Sequence, residues 1–536
     1  MKYFFTSTLN ISEEGAHPIL IGSEGNSAPE IITLSNNSLK NCELIVFNSS
    51  QIIDYLRRNN VELPKSIIDI FQIYKLLKGR PLKYHKYTEA QVIWLVFREI
   101  INNDDELKDV ISTLDSSSKK INVHKLEDKL FLFNSYLKQA YTHFILELKN
   151  KSESERYEMV EKPFNYLLCK RQYDGIFLNQ RALYSKIESV SKELNALNKR
   201  LRFEYSIFNP QNTAEVKSAL LKNDFSYLSK ITKSINKNSF WNFIKTGSEQ
   251  NDFLKLLYSA YRISFDKNSL TKIIVEEDGK VYPYFDCCGT VTSRTQVIMP
   301  QIQQLKKTSR DIISAKPGYS LLYADYSQFE PGILASLADD KKLISCYNQE
   351  DLYTSLSNEL FSKPDFRSIC KVIFLSFMYG MSTTGLENLL KDFFHDDKND
   401  KKSELQIFFD KFINLVPYKL ELEVVALNEK KICSCLGNYR YFESKSTNHL
   451  PSKVKRWVLS QKVQGTASLI LKTAILNCCN DPEVQFLIPM HDAALFQVPT
   501  GLVEEKKEII KQEFEKAMTL FCPKLIPKVA FKKFTE

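Results

Sequence analysis

Two short apolar stretches, far apart along the chain, each place an aspartate where a β-strand ends or turns. In the first, SLLYADYS, Asp325 follows an apolar run. In the second, QFLIPMHDAALFQV, Asp492 lies in a His-Asp turn between two apolar halves. Short apolar runs bounded by turn residues are typical of buried strands. The pattern predicts that a β-rich platform, built from distant segments, presents both carboxylates at its edge.

The stretch between these strands has the pattern of a large helical excursion. RSICKVIFLSFMYG begins at Arg367, and Lys371 follows one helical turn later. Residues four apart lie on one face of a helix, so the two cations suit a triphosphate, and Tyr379 lies two turns further. The alternative is an amphipathic helix with two surface cations. The charged segment KDFFHDDKNDKKSE, around 391–404, predicts a loop or an insertion.

The N-terminal part has a mixed pattern. Residues 1–110 indicate an α/β region, in which ELIVF predicts a strand that ends at Phe47. SIIDIFQIYKLLKG has helical periodicity and ends at Gly79, which suits a helix C-cap. YTEAQVIWLVFREIIN predicts another helix.

Long helices are predicted for residues 110–270, where LYSKIESVSKELNALNKRLRFEYSIF is the longest periodic segment. Their charged faces suit solvent, with contact to a DNA backbone as the alternative. KIIVEEDGKVYPYF then predicts a hairpin with its turn at Asp278-Gly279.

Composition sets broad limits. A chain of 536 residues is long enough for about three or four domains. Its formal net charge of +9 fits a nucleic-acid partner without requiring one. The sequence lacks an apolar run of membrane-spanning length, and its cysteines lack the CxxC spacing of a zinc ribbon.

Paired carboxylates have a specific chemical use. Phosphoryl transfer to a nucleotide needs two Mg²⁺ ions held between carboxylates, and two acids on neighbouring strands are the minimum for such a site. A single acid after a strand is more often a turn residue. The assignment therefore depends on the motifs around Asp325 and Asp492.

Those motifs resemble DNA polymerases of family A, the DNA polymerase I type. DYSQFEPGILASLADD is similar to motif A of that family, RSICKVIFLSFMYGMS to motif B and MHDAALFQV to motif C. The order and spacing also fit. Further similar stretches are EKPFNYLLCKRQYDGIFLN, FNPQNTAEVKSALL, GKVYPYFDCCGTVTSR, PQIQQL and VQGTASLILKTAI. The resemblance covers roughly residues 160–536.

The resemblance implies an α+β right-hand polymerase, with a palm of antiparallel sheet and helical fingers and thumb. A degenerate, RNase H-like α/β exonuclease domain is expected to precede it. The implied domains are 1–125 (exonuclease-like), 126–275 (connecting helices and thumb), 276–340 (palm with motif A), 341–450 (fingers with motif B) and 451–536 (palm with motif C).

The resemblance also implies roles for single residues. Asp325, Asp492 and the carbonyl of Tyr326 are the implied ligands of two Mg²⁺ ions, with Mn²⁺ as an alternative. Lys371 is the implied acid for pyrophosphate, and Glu330 matches the steric gate beneath the sugar's 2′ position. The implied nucleotide-binding residues are Tyr326, Gln328, Glu330, Arg367, Lys371, Leu375 and Tyr379. The implied DNA-binding residues are Arg294, Gln303, Arg456, Gln464 and His491.

Several positions depart from the family's pattern. Ala493 stands where motif C has a second acid, which predicts a lower rate. Leu375 replaces an aromatic ring, although Phe374 is its neighbour. Gly332 replaces an arginine, and Ser460 replaces an asparagine before the QGTA element. Pro331 suits the first turn of a helix.

The N-terminal region has a faint likeness to DEDD proofreading exonucleases. It lacks their DxE pair, and Tyr87 is followed by Gln91 where their YxxxD acid belongs. The sequence therefore predicts a structural remnant that cannot proofread.

Taken together, these features predict a DNA-directed DNA polymerase that adds deoxynucleotides to a primer's 3′ end. Its expected partners are a primed DNA template and dNTPs, without a membrane; the sequence does not identify a processivity partner. The expected location is the cytoplasm of a bacterial or phage-infected cell, in association with the nucleoid. The alternatives are a single-subunit RNA polymerase-like enzyme and a catalytically weakened DNA-binding relative.

Overall fold

A computed structural model of the protein describes most of the chain. The described residues are 2–7, 19–34, 39–79, 87–115, 123–222, 240–241, 244–245, 247–249, 251–349, 351–361, 366–382, 384–388, 410–443 and 449–535. The loop or insertion predicted around 391–404 lies outside them.

The described strands are short, and in chain order they are β1 (Lys2–Ser7), β2 (Leu20–Glu24), β3 (Glu30–Ile31), β4 (Glu43–Val46), β5 (Ser66–Asp69), β6 (Ile176–Phe177), β7 (Lys280–Val281), β8 (Tyr284–Asp286), β9 (Gln296–Met299), β10 (Tyr319–Tyr326), β11 (Lys431–Ile432), β12 (Arg440–Tyr441), β13 (Gln485–Pro489), β14 (Ala493–Pro499) and β15 (Val529–Lys532).

The described α-helices are α1 (Ser49–Arg58), α2 (Ile70–Lys78), α3 (Glu89–Phe97), α4 (Asp104–Asp115), α5 (Val123–Asn150), α6 (Ser154–Arg156), α7 (Lys162–Asp174), α8 (Gln180–Tyr205), α9 (Thr213–Lys222), α10 (Asp252–Thr271), α11 (Phe329–Leu337), α12 (Lys341–Asn348), α13 (Leu352–Phe361), α14 (Arg367–Met378), α15 (Leu415–Glu429), α16 (Ser452–Cys478) and α17 (Val503–Phe521). A π-helical turn, Tyr157–Glu161, joins α6 to α7. None of these helices has an apolar stretch long enough to cross a membrane.

The chain divides into two compact units. The first comprises Met1–Asp174, Tyr284–Gln296 and Gly318–Lys532, and the second comprises Gly175–Pro283, Val297–Pro317 and Lys533–Glu536. The boundaries of the five domains inferred from the sequence stay predictions.

The N-terminal sheet of the first unit has mixed strand directions. Its order is β3-β2-β1-β4-β5, with β1 antiparallel to β2 and parallel to β4. Helices α2, α3 and α5 bury apolar side chains in a shared core with this sheet, including Ile45, Phe97 and Phe133. The α/β prediction for residues 1–110 is confirmed, whereas descent from an exonuclease stays a prediction.

The stretch SIIDIFQIYKLLKG forms a strand and then a helix. Its first four residues form β5, which pairs with β4, and α2 begins only at Ile70. The Asp69 side chain caps that helix by accepting a 2.9 Å hydrogen bond from the amide of Phe71. The prediction of one continuous helix was wrong, because a short apolar run suits either structure. The predicted C-cap is confirmed, since Gly79 has φ 51°.

A four-stranded antiparallel sheet holds both aspartates. Its order is β13-β14-β10-β15, so β10 is paired on both edges. Helix α17 packs on this sheet and places Phe514 against Phe496 of β14. The predicted strands on either side of His491-Asp492 are confirmed, and so is the platform interrupted by helices.

The second unit is mainly helical, as predicted for much of 110–270. Helices α8 and α10 pack on each other around a core that includes Leu201, Phe253 and Leu257. The predicted hairpin in KIIVEEDGKVYPYF is wrong in its pairing. Gly279 does form the turn, with φ 77°, but β7 pairs with the distant β6. An apolar pattern indicates a strand without indicating its partner.

Candidate active site

Asp325 lies near the end of β10, on a face shared with its cross-strand neighbours. In register it stands opposite Ala493 of β14 and opposite Ala530 of β15. Its Oδ2 accepts a 2.8 Å hydrogen bond from Nζ of Lys532. The Asp325 side chain is only 19% exposed, so this carboxylate is sheltered by the sheet while still reached by a cation.

Asp492 lies in the tight turn between β13 and β14. The amide of Met490 donates a 2.8 Å bond to the carbonyl of Ala493, which closes the turn. The Asp492 carbonyl accepts a 3.0 Å bond from the amide of Tyr326, which ties this turn to the end of β10. The sequence prediction that the strands bring Asp325 and Asp492 together is therefore confirmed, although the two residues lie at one end of the sheet and not at an edge strand.

The Asp492 carboxylate is not fully hydrogen-bonded. Its Oδ1 is buried without a hydrogen-bond partner, and the guanidinium of Arg294 is 3.9 Å away. Burial raises the pKa of Asp492 to about 6, and the negative charges of Glu330 and Asp325 act in the same direction. A buried, unpartnered carboxylate oxygen beside a second carboxylate is a donor set that fits a divalent cation.

Tyr326 follows Asp325 and is anchored by its side chain. Its ring stacks on Phe329 at a centroid distance of 4.2 Å, and its hydroxyl donates a 2.6 Å bond to the carbonyl of Phe514. These contacts fix the backbone beside Asp325. The implied role of the Tyr326 carbonyl as a metal ligand stays a prediction.

Glu330 lies in the first turn of α11 and is 5% exposed. Its carboxylate accepts a 2.7 Å bond from the hydroxyl of Tyr379 and another from Arg294. Tyr379 caps the end of α14, and burial and the Glu330 charge raise its pKa to about 12. Gln464 of α16 acts in the opposite direction and lowers the pKa of Tyr379, so its side chain lies close to this hydroxyl. Four residues predicted from separate motifs are thus brought together.

Gly380, next to Tyr379, allows a close approach of α16. Its φ is 85°, and an added Cβ would lie 2.2 Å from the backbone oxygen of Arg456. Arg456 itself is exposed near the beginning of α16. This close approach places the backbone of Arg456 beside the end of α14.

Arg367 and Lys371 are both exposed on α14, as predicted. Arg367 donates bonds of 3.0 and 2.8 Å to the two oxygens of Asp351. Gln328, which has φ 54°, donates a 2.5 Å bond to the same carboxylate. Hydrogen bonds from Arg367 and Thr354 outweigh burial and lower the pKa of Asp351. Sequence reasoning missed Asp351, whose one local signal was its fit as a helix N-cap.

Leu375 and Phe374, on the next turn of α14, differ in how deeply they are buried. Leu375 is half-buried, whereas Phe374 is 0% exposed within the core. A ring that is fully enclosed cannot also stack on a bound nucleotide. The burial of Phe374 therefore argues against it as a ring beside the nucleotide, and the assignment of Leu375 to that position stays a prediction.

Two further residues that depart from the family's pattern, Gly332 and Ser460, have defined surroundings. An added Cβ at Gly332 would lie 2.5 Å from the ring of Tyr347, so that ring fills the space beside α11. Pro331 occupies the first turn of that helix, as predicted. Ser460 donates a 3.1 Å bond to the carbonyl of Trp457 within α16.

The residues predicted to contact DNA do not all belong to one compact unit. His491 is exposed in the same turn as Asp492. Gln303 belongs to the second unit, where its Oε1 accepts a 3.2 Å bond from the amide of Val297. Arg294, Gln464, Arg456 and His491 all belong to the first unit.

Gln91 stands where the exonuclease pattern has an acid, and its side chain instead caps a helix. Thr88 and Gln91 form a capping box at the beginning of α3, with bonds of 2.9 and 3.3 Å. Among the described residues of the N-terminal sheet and its helices, no three acidic, histidine or cysteine side chains cluster closely enough to hold a metal.

Several known proteins are similar in sequence to most of this chain. DNA polymerase I of Caldicellulosiruptor bescii is 25% identical over 437 residues, which cover 75% of this chain and 49% of the relative. DNA polymerase I of Helicobacter pylori strain 26695 is 23% identical over 478 residues, 83% of this chain and 52% of the relative. The chain spans about half the length of these curated relatives.

A solved structure has the same fold. The POL domain of Pol1 from M. smegmatis, in complex with DNA primer-template and dNTP, aligns with a TM-score of 0.76 and 17% identity. The alignment covers 99% of this chain and 95% of that domain. The model of DNA polymerase family A matches residues 180–530, which hold Asp325, Asp492 and the residues around them. The chain therefore belongs to DNA polymerase family A.

Proposed function

We propose that the protein is a template-directed DNA polymerase, which extends a primer's 3′ end with deoxynucleotides. One observation carries the proposal. Asp325 and Asp492 come from distant segments and meet at one end of the sheet, where Oδ1 of Asp492 is buried without a hydrogen-bond partner. Family membership over residues 180–530, which include both aspartates, supports their assignment as the palm carboxylates.

The same carboxylates are proposed to hold the metal. Mg²⁺ is the expected ion, with Mn²⁺ as an alternative, and two such ions would neutralise the triphosphate and favour loss of the proton from the 3′-hydroxyl. Asp325, Asp492 and the Tyr326 carbonyl are the proposed ligands. Because Ala493 leaves one helper carboxylate absent, we expect the rate to be lower than in relatives that have it.

The cations of α14 are proposed to bind the triphosphate. In the reaction, the 3′-hydroxyl gives its proton to water and its oxygen bonds to the α-phosphorus, while the bond from that phosphorus to pyrophosphate breaks. Arg367 and Lys371, one turn apart and exposed, suit the β- and γ-phosphates. Lys371 is the proposed donor of the proton that the leaving pyrophosphate takes up.

Glu330 is proposed to select the sugar. It is buried and held on two sides by Tyr379 and Arg294, so its carboxylate is a rigid wall rather than a mobile side chain. A rigid wall penalises an additional 2′-hydroxyl. This supports deoxynucleotides as substrates and is the observation that disfavours the RNA polymerase alternative.

Primed DNA is the proposed macromolecular partner. The M. smegmatis domain with the same fold was solved with a primer-template and dNTP. Arg294, Arg456, Gln464, His491 and Gln303 are the proposed DNA contacts. Binding to phosphates releases counterions, so affinity should fall steeply as salt rises. Because its proposed template is DNA, we propose that the protein acts in the cytoplasm, at the nucleoid.

The N-terminal domain is proposed to lack proofreading. Gln91 serves in the capping box of α3, and acids able to hold two metal ions are not clustered in the described part of this region. We propose that about the first 125 residues are a structural remnant of an exonuclease. The connecting helices and thumb, the palm and the fingers would follow, as inferred from the sequence.

Primer extension tests the proposal. A labelled DNA primer is annealed to a DNA or an RNA template and incubated with Mg²⁺ and either dNTPs or NTPs. Extension that requires the DNA template and dNTPs is expected. Extension with NTPs alone would favour the RNA polymerase alternative, and binding without extension would favour the weakened DNA-binding relative. Shortening of the primer without nucleotides would contradict the absence of proofreading.

A further inference from the structure

A lysine contacts one of the two carboxylates that are proposed as metal ligands. Nζ of Lys532 donates a 2.8 Å hydrogen bond to Oδ2 of Asp325. The Lys532 side chain is 51% exposed, whereas that of Asp325 is 19% exposed. The ammonium therefore reaches in from solvent and occupies one of the two oxygens of this carboxylate.

The register of the sheet explains how this contact forms. Lys532 stands opposite Tyr323, two residues before Asp325, so Lys532 and Asp325 are diagonal neighbours on one face. Diagonal neighbours are within reach of long side chains. Both residues directly opposite Asp325 are alanines, Ala493 and Ala530, whose methyl groups leave room for the lysine stem.

We propose that Lys532 is a built-in competitor for the divalent cation at Asp325. The proposal rests on the proposed function, because it concerns the same metal site. A carboxylate oxygen that accepts a hydrogen bond from an ammonium offers less negative charge to a cation, and the nearby positive charge repels that cation. The Lys532 ammonium must leave Asp325 before the carboxylate serves fully as a ligand.

The location of Lys532 allows it to leave. β15 is an edge strand of its sheet, and the half-exposed lysine stem can rotate into water. A lysine ammonium is a strongly hydrated point charge on a flexible stem, so water replaces the Asp325 carboxylate as its hydrogen-bond partner when it leaves. Ala493 supplies no further carboxylate. One competing positive charge therefore weakens cation binding more at this site than it would at a site with three acids.

Metal binding without DNA or nucleotide tests the proposal. Free Mn²⁺ is measured by electron paramagnetic resonance during titration of the full chain. Lys532→Met removes the charge and keeps an unbranched stem, so Mn²⁺ should bind about threefold to tenfold more tightly than to the wild type. Lys532→Arg keeps the charge and should bind within about twofold of wild type.

A matched control separates this effect from net charge. Lys516→Met makes the same change in charge on α17, where Lys516 pairs with Glu513 and is 65% exposed. It should leave Mn²⁺ binding unchanged. The Mg²⁺ concentration for half-maximal primer extension should fall in Lys532→Met and stay constant in Lys516→Met.

Further outcomes separate the two proposals. Asp325→Asn should weaken Mn²⁺ binding, and the gain from Lys532→Met should disappear in the Asp325→Asn background. If Asp325→Asn weakens binding while Lys532→Met binds no better than wild type, the competitor role is wrong and the metal site stands. If Asp325→Asn leaves Mn²⁺ binding unchanged, the metal site itself is misassigned and both proposals fall.

Discussion

The hydroxyl of Tyr379, at the end of α14, donates a 2.7 Å hydrogen bond to the Glu330 carboxylate in the first turn of α11. Arg294 donates to the other oxygen of the same carboxylate. Glu330 is 5% exposed, so its position is fixed by these two partners. Residues far apart in sequence therefore form one wall of the proposed nucleotide site.

The first prediction concerns this wall. Glu330→Ala removes the obstacle to a 2′-hydroxyl and should raise ribonucleotide insertion by about tenfold to two-hundredfold, or 1–3 kcal/mol. Tyr379→Phe keeps the ring, loses one hydrogen bond and should have a smaller effect in the same direction, about 1 kcal/mol. The measurement is kcat/KM for dCTP and CTP in single-nucleotide insertion. A wild type that prefers CTP would show that Glu330 is not the gate.

The second prediction concerns the opposite side of the sugar. Leu375 is half-buried and lacks the planar face of an aromatic ring, so wild-type discrimination should be weaker than with a ring. Leu375→Phe should increase the preference for dCTP over CTP and reduce the use of dideoxynucleotides. Phe377→Leu, a buried change on the same helix, controls for loss of packing. Unchanged selectivity in Leu375→Phe would mean that this position does not face the nucleotide.

The third prediction concerns Arg367. Its guanidinium is held by both oxygens of Asp351, so a triphosphate must first displace that carboxylate. Asp351→Asn keeps an oxygen to cap α13 and removes the charge. Because the ion pair is partly exposed, the KM for dNTP should fall by only about twofold to fivefold. Asp105→Asn, on the exposed surface of α4, is the charge-matched control. A higher KM in Asp351→Asn would instead indicate that Asp351 orients Arg367 for binding.

The fourth prediction concerns a buried ion network. Glu161 accepts bonds of 2.8 Å from Arg156 and 2.5 Å from Lys472, and also 3.0 Å from the hydroxyl of Ser293, next to Arg294. Burial alone raises the pKa of Glu161, but Lys472 and Arg156 outweigh it and lower the pKa to about 2. Glu161→Gln leaves two buried cations without their counter-charge and should cost about 3 kcal/mol of stability at pH 7.

The pH dependence of this cost has a definite sign. The folded-state pKa of Glu161 lies below its ordinary value, so the folded state releases the proton more readily than the unfolded chain. The stabilisation is complete above about pH 4.5 and is lost as pH falls towards 2. The difference in melting temperature between wild type and Glu161→Gln should therefore shrink with acid. Glu158→Gln, half exposed on the same π-helical turn, should melt like the wild type at every pH.

Local patterns in the sequence predicted the elements that carry the chemistry. The apolar runs around Asp325 and Asp492, the periodicity of α14 and the C-cap at Gly79 depend on neighbouring residues, which a sequence displays directly. The family resemblance then implied that Glu330 and Tyr379 bind the nucleotide and that Arg294 contacts the DNA. The structure adds that these three contact one another.

Pairings between distant residues could not be predicted in the same way. Lys532 reaches Asp325 because of a strand register, and Asp351 meets Arg367 because of the packing of α13 and α14. β7 pairs with β6 instead of its immediate neighbour for a similar reason. Apolar alternation specifies which residues face a core, but it leaves open which strand lies alongside and which polar side chains then meet.

The measurement that tests the central claim most directly is single-turnover extension of a DNA primer–template in Mg²⁺ by Asp325→Asn and Asp492→Asn. Both variants keep the side-chain shape and lose the charge that is proposed to hold the metal. Each should reduce the rate of incorporation by several orders of magnitude, while DNA binding at low salt stays within a few-fold of wild type. The control Asp105→Asn should extend at the wild-type rate. Extension at the wild-type rate by Asp325→Asn or Asp492→Asn would contradict the assignment of these carboxylates as the catalytic metal ligands.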